Sequence, residues 1–157
     1  LRFRNVEDLL AGEAVYQDIT HDSPGPRGMG LPKREPEDAG KILASLAARH
    51  AFTLFEFFQT DKAGHMQDRP KAERELLKLE RFLSALLANL ELETCTLIVT
   101  SDHGNVENLS TKSHTHNPVP TLVFGEGAQG LAGGFGRLED FTPVLLDALG
   151  VPADPTP

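Results

Sequence analysis

Residues Thr94–Thr100 read Thr-Cys-Thr-Leu-Ile-Val-Thr and stop abruptly at Ser101-Asp102-His103-Gly104-Asn105. A near-continuous apolar run of this length is the pattern of a strand buried on both faces, which requires layers above and below its sheet. Two further runs read as strands, the aromatic Thr53–Gln59 and the apolar Val119–Phe124. Helical periodicity falls between and after them. Ile42, Leu43, Leu46 and Ala47 mark one face of a helix over about Glu37–His50. Leu76, Leu79, Leu83, Leu86 and Leu87 are expected on the inner side of a long amphipathic helix over Asp68–Leu90. Leu138–Gly150 closes as a helix with Gly150 and Pro152 as its stop signals. Strands alternating with helices predict an α/β fold built on a parallel sheet.

The opening region is less regular. Asn5 can cap a short helix through Leu10 that Gly12 closes, and Ala14–Ile19 fits a short strand. Thr20–Pro36, rich in Pro, Gly and charge, reads as a long surface loop or linker. The Gly-rich stretch Gly125–Gly136 lacks the phosphate-loop pattern and reads as a surface loop. At 157 residues the chain has the length of one domain, and 39% hydrophobic with 24% charged residues is ordinary globular composition. A formal net charge of −8 argues against nucleic acid or an anionic membrane as partner. No apolar run is long enough to span a bilayer. The single cysteine, Cys95, excludes an intrachain disulfide and fits a reducing, cytoplasmic setting as a buried thiol. The opening Leu1-Arg2-Phe3-Arg4 is not a signal peptide, so the chain is expected to begin inside a longer protein.

Metal-ligating residue types gather in three segments, each just after an expected strand, where open α/β sheets bind ligands. In Asp61-Lys62-Ala63-Gly64-His65, Asp and His at i and i+4 share a face if the chain makes a helical turn, and can then hold a divalent ion. A capping Asp and a surface His would give the same spacing. Asp102 and His103, adjacent at the end of a strand, would point to opposite sides unless the chain turns at Gly104, an arrangement suited to two metals. The plain alternative is a loop cap. His114 and His116, at i and i+2 and followed by Asn117-Pro118-Val119-Pro120, point the same way in extended chain, whether as ligands or as two solvated histidines. His21 and His50 lie outside these segments and read as structural.

Together these residues resemble the alkaline phosphatase superfamily, and within it the cofactor-independent phosphoglycerate mutases. Thr100-Ser101-Asp102-His103-Gly104-Asn105 is similar to their Thr-Ala-Asp-His-Gly-Asn signature. His114-Thr115-His116-Asn117-Pro118-Val119-Pro120 is similar to His-Thr-x-Asn-Pro-Val-Pro, and Asp61 to His65 to Asp-x-x-Gly-His. The resemblance runs from about Thr53 to Gly150. It implies a three-layer parallel-sheet fold, of which residues 37–157 would be the C-terminal part and residues 1–36 a connection or cap remnant. It also implies two divalent ions, manganese or zinc, and a phosphorylated small molecule as substrate. Asp61, His65 and His114 would hold one ion, and Asp102 and His103 the other. His116 and Asn105 would stand beside the ligands.

The family's nucleophile precedes the matched region, so no catalytic nucleophile is expected within this chain, and Ser101 stands where the family usually has Ala. The expectation is a metal-holding portion of a phosphatase or phosphomutase, inactive alone and binding at most one ion tightly. Its bare sheet edge would be covered by the N-terminal part or by another chain. The alternative is a non-catalytic module that retains the ligands.

Overall fold

The computed structural model describes residues 3–152. They divide into two units, one of residues up to Leu90 together with Asn105–Thr115, the other of Glu91–Gly104 with the residues from His116 onward.

The first unit is helical. Helix α1 (Val6–Leu10) is capped as its sequence suggests. Asp8 N–H donates to the Asn5 side chain (3.0 Å), and Asn5 N–H to the Asp8 carboxylate (2.8 Å). After the short α2 (Pro24–Gly28), α3 (Pro36–Ala47) begins with Pro36 in its first turn and Glu37 and Asp38 beside the positive end of its dipole. Helix α4 (Gln59–Met66) ends at Gln67 in the left-handed conformation. Asp68 then caps α5 (Arg69–Asn89) by accepting from Lys71 N–H at 2.9 Å.

Helices α3 and α5 approach closely at Gly40, where an added Cβ would lie 2.5 Å from the Phe82 carbonyl and 2.9 Å from the Leu86 nitrogen. The core between them holds Ala39, Leu43, Ala44 and Leu46 against Phe82 and Leu86, and Ala72 is buried further back on α5. Phe82, 1% exposed, also packs on Phe55 with ring centroids 5.3 Å apart. Burying such a ring contributes about 1.5–3 kcal/mol. Arg81 ties the helices at the surface, donating to both carboxylate oxygens of Glu37 (2.6 and 2.7 Å) and to Glu35 (2.8 Å).

Several expectations for this unit are corrected. Leu76 is not on the inner side of α5, because α3 covers the stripe through Phe82 and Leu86 and leaves Leu76 and Leu77 exposed. Thr53–Gln59 is not a strand. Residues 53–58 have no ladder partner among the described residues, and Gln59 already belongs to α4. Their side chains still alternate, with Phe55 and Phe57 half-buried and Leu54 and Phe58 exposed.

Ala14–Ile19 is not a strand, and the chain turns at Gln17 and Asp18. The Asp18 carboxylate accepts from His21 N–H (2.9 Å) and Ser23 N–H (2.7 Å) and holds Ile19 and His21 at positive φ. Such side-chain capture of backbone donors competes with sheet pairing. Thr20–Pro36 is accordingly not all surface loop, since His21 is fully buried, donates through Nδ1 to the Pro32 carbonyl (2.9 Å), and precedes α2.

The second unit carries the sheet. Strands β1 (Thr96–Val99) and β2 (Leu122–Gly125) pair antiparallel, Thr96 opposite Gly125 and Val99 opposite Leu122. The expected parallel arrangement is therefore not the one formed by this pair. A parallel pair needs a crossover, usually a helix, and residues 100–121 contain none. Nor are both faces of β1 fully covered, its residues being half-buried or exposed. Gly125 is required where it stands. At φ +92° an added Cβ would run into the Cys95 carbonyl, to which Glu126 N–H donates at 3.2 Å. The stretch after it is not irregular throughout, for α6 (Ala128–Leu131) and a 3-10 turn (Ala132–Gly134) lie within it. A 3-10 turn (Leu138–Asp140) leads into α7 (Phe141–Ala148), which closes near Gly150 at φ +64°, as its stop signals indicate.

Candidate metal centre

Helix α4 makes the helical turn on which the Asp61–His65 spacing depends. Asp61 lies in its first turn, where the dipole favours a carboxylate, and His65 follows one turn later on the same face. The loop Asn105–Thr115 delivers His114 to that face. Apart from an isolated bridge at Thr115, this loop lacks regular structure and is shaped largely by polar side chains. The Asn108 carboxamide accepts from Ser110 N–H (3.1 Å) and hydroxyl (2.7 Å), and the Thr111 hydroxyl from Ser113 N–H (3.1 Å). Helix α4 grips it at two carbonyls. Gln67 Nε2 donates to the Leu109 carbonyl (3.0 Å), and His65 Nδ1 to the Lys112 carbonyl (2.6 Å). Beneath His65, Gly64 has its α-carbon against the buried Asn105 carboxamide, which occupies the space a Cβ would need.

Three ligand atoms converge as a result. His65 Nε2 is 3.3 Å from Asp61 Oδ1, His114 Nε2 is 3.5 Å from the same oxygen, and the two Nε2 atoms are 3.2 Å apart. The Lys112 carbonyl can only accept, so His65 carries a proton on Nδ1, and in the neutral ring Nε2 is the atom left with a lone pair for a metal. Asp61 Oδ1 is a buried atom with no hydrogen-bond partner. The two Nε2 atoms lie within hydrogen-bond distance of each other, and a cation among the three atoms would be shared by all of them. The size also fits. Ligands bound at about 2.0–2.1 Å around a tetrahedral zinc ion stand about 3.3 Å apart. Backbone support of a ligating imidazole through its other nitrogen is the usual companion of such sites.

The remaining candidates are placed as follows. Asp102 and His103 belong to the second unit and lie on a bend after β1. They do not diverge, since the chain turns and brings His103 Nε2 to 3.4 Å from Asp102 Oδ2. Among the described residues they do not form a group of three ligands, whereas Asp61, His65 and His114 do. Ser101 donates its hydroxyl to the His103 carbonyl (2.8 Å). His116 is exposed and is not one of the converging ligands, although His114 is. Asn105 packs on Gly64, the residue before His65. The Lys112 carbonyl was beyond reach of sequence reasoning, because a backbone oxygen has no residue signature. Gln67, which holds the loop, belongs to none of the three motifs and carries no signature of its own.

A family model described as the Metalloenzyme superfamily matches residues 20–153. The curated relatives include 2,3-bisphosphoglycerate-independent phosphoglycerate mutases. That of Paracoccus denitrificans is 32% identical over 127 residues, covering 76% of this chain and 25% of the relative. That of Agrobacterium fabrum is 35% identical over 122 residues, 73% of this chain and 24% of the relative. That of Pyrococcus abyssi is 28% identical over 123 residues, 69% of this chain and 29% of the relative. The chain thus spans about a quarter of the length of the curated relatives it matches. No solved structure matches it.

Proposed function

The chain belongs to the metalloenzyme superfamily, and on that premise we propose that it is the metal-holding portion of a two-metal phosphoryl-transfer enzyme, a phosphatase or phosphomutase like the mutases it resembles. The observation that carries this reading is the convergence of Asp61 Oδ1, His65 Nε2 and His114 Nε2 in a triangle sized for a divalent cation. These three residues would hold one ion, and Asp102 with His103 would contribute to a second. A cation so held supplies positive charge against the oxygens of a phosphoryl group in transfer. The chain's own residues do the rest of the work visible here. Asp61 brings the negative charge, His65 is kept in one tautomer by the Lys112 carbonyl, and the loop fixes His114 opposite both. Imidazole and carboxylate donors without a thiolate suit zinc or manganese better than calcium.

The nucleophile is proposed to lie outside these residues, and the substrate to be a phosphorylated small molecule. The three-layer parallel sheet is proposed for the longer protein, with residues 37–157 as its C-terminal part and 1–36 as a connection. Phe52, Leu54 and Phe58, exposed along a segment without a strand partner, mark where the rest of that protein, or another chain, would pack.

Calorimetric titration with zinc and manganese tests the metal reading. One tight site per chain, abolished in His114→Ala, is expected. Two tight sites, or binding indifferent to His114→Ala, would refute it. An assay on a generic phosphomonoester tests the second part. Negligible turnover by the pure chain is expected, and metal-dependent turnover lost in Asp102→Ala would show a nucleophile within it.

A further inference from the structure

The loop that carries His114 has its two ends tied by one side chain. Glu107 Oε2 accepts from the backbone N–H of Asn105 (2.6 Å), and Glu107 Oε1 accepts from the hydroxyl of Thr115. Asn105 is the residue packed on Gly64, and Thr115 directly follows His114. One carboxylate therefore connects the point where the loop is anchored on α4 to the residue next to a ligand.

We infer that Glu107 is a positioning residue for the Asp61–His65–His114 site, acting as a two-point clamp. The inference rests on the metal reading of that site. Two consequences of loop position make it more than a local turn contact. Lys112, two residues before His114, supplies the carbonyl that fixes the tautomer of His65, so the same loop sets the direction of one ligand and the place of another. Apart from an isolated bridge at Thr115, the loop has no helix or strand. Side-chain ties add to its register against α4, and Glu107 joins the start of the loop to its end.

The residue is exposed at the surface, so its attraction for a distant cation would be weak and screened. The clamp instead depends on reach, because both oxygens must meet donors on chain segments that are eight and two residues away. Reach and charge are separable. Glutamine keeps the length: its carbonyl can accept from Asn105 N–H while its amide donates to the Thr115 hydroxyl, which both donates and accepts. Aspartate keeps the charge but is one methylene shorter, and cannot span the two donors without moving the loop.

The test measures zinc affinity by competition with a chelating dye in the whole chain, for wild type, Glu107→Gln, Glu107→Asp, Glu107→Ala and Thr115→Val. His114→Ala serves as control, and the cobalt(II) visible spectrum reports ligand geometry in each variant. A clamp predicts that Gln stays within a few-fold of wild type. Asp, Ala and Thr115→Val should each lose about 10- to 100-fold, the usual effect of removing a group that orients metal ligands. The cobalt spectrum should shift in those three and not in Gln. Thr115→Val leaves Glu107 in place and decides the matter if Glu107→Ala does not fold. Aspartate binding as tightly as wild type while Gln fails would show charge and overturn the clamp. So would melting of the metal-free variants lowered with affinity and spectrum unchanged, the mark of a purely structural turn. Either result, with His114→Ala still abolishing binding, sinks the clamp alone. Zinc binding that His114→Ala leaves intact sinks the site reading and the clamp with it.

Discussion

Replacing Gly64 by alanine should destabilise the chain, against the ordinary rule for helices. Gly64 sits inside α4 at a helical φ, so no left-handed conformation demands glycine there. On propensity alone, Gly→Ala in a helix interior stabilises by about 1 kcal/mol. The obstacle is space. A Cβ at this position would overlap the Asn105 carboxamide, which is 7% exposed and packed against the helix. Forcing one carbon into a packed contact costs about 1–3 kcal/mol, which equals or exceeds the propensity gain. Gly64→Ala alone should therefore lose up to about 2 kcal/mol. In an Asn105→Ala background the carboxamide is gone, and the same substitution should gain up to about 1 kcal/mol. The coupling between the two positions, about 1–3 kcal/mol, can be read from urea unfolding of the four proteins followed by circular dichroism. The single variant should also bind zinc more weakly, because the displaced loop carries His114 and the Lys112 carbonyl away from α4. Equal effects of Gly64→Ala in both backgrounds, or stabilisation in the wild-type background, would refute the packing argument.

Other consequences can be checked with the same material. Phe82→Ala should cost about 3–5 kcal/mol in urea unfolding, since the ring is 1% exposed between α3, α5 and Phe55. Gly40→Ala should destabilise as well, because its Cβ would meet backbone atoms of Phe82 and Leu86, which cannot rotate away. Hydrogen bonds from Arg81 hold the Glu37 carboxyl below its ordinary value of 4.5. A depressed folded-state pKa contributes stability that is present above the unfolded value and lost as pH falls through the folded one. The difference in melting temperature between wild type and Glu37→Gln should therefore narrow as pH drops from about 6 to about 3. Burial, with Glu91 and Glu93 nearby, raises the Cys95 thiol. Its alkylation near neutral pH should be slower than that of a free thiol, and comparable rates would contradict that placement.

The sequence disclosed the site better than it disclosed the sheet, and the reasons are physical. Asp61 and His65 were legible because a helical turn converts a four-residue spacing into a shared face, and α4 makes that turn. Helix α5 is legible from its leucines, but its buried stripe is not the one they predict. Which leucines are covered depends on the line along which α3 crosses, set at Gly40, and Leu76 lies off that line. Thr53–Gln59 has a strand's composition and alternation. Pairing is a property of the neighbour, and none of the described residues pairs with it. The turn at Asp18–Ser23 was hidden because a carboxylate capturing two backbone N–H groups has no periodicity. For Asp102 and His103, alternation along a strand suggested divergence, and a bend at those residues turned the side chains toward each other.

The most direct test is where a metal ion sits. Crystals of the chain grown with zinc, with diffraction collected on either side of the zinc absorption edge, would locate the ion by its anomalous signal. A peak is expected about 2.0–2.2 Å from each of Asp61 Oδ1, His65 Nε2 and His114 Nε2, with His65 Nδ1 still bonded to the Lys112 carbonyl. A peak at Asp102 and His103 with nothing at the triad, or a triad spread apart with His65 turned to solvent, would contradict it.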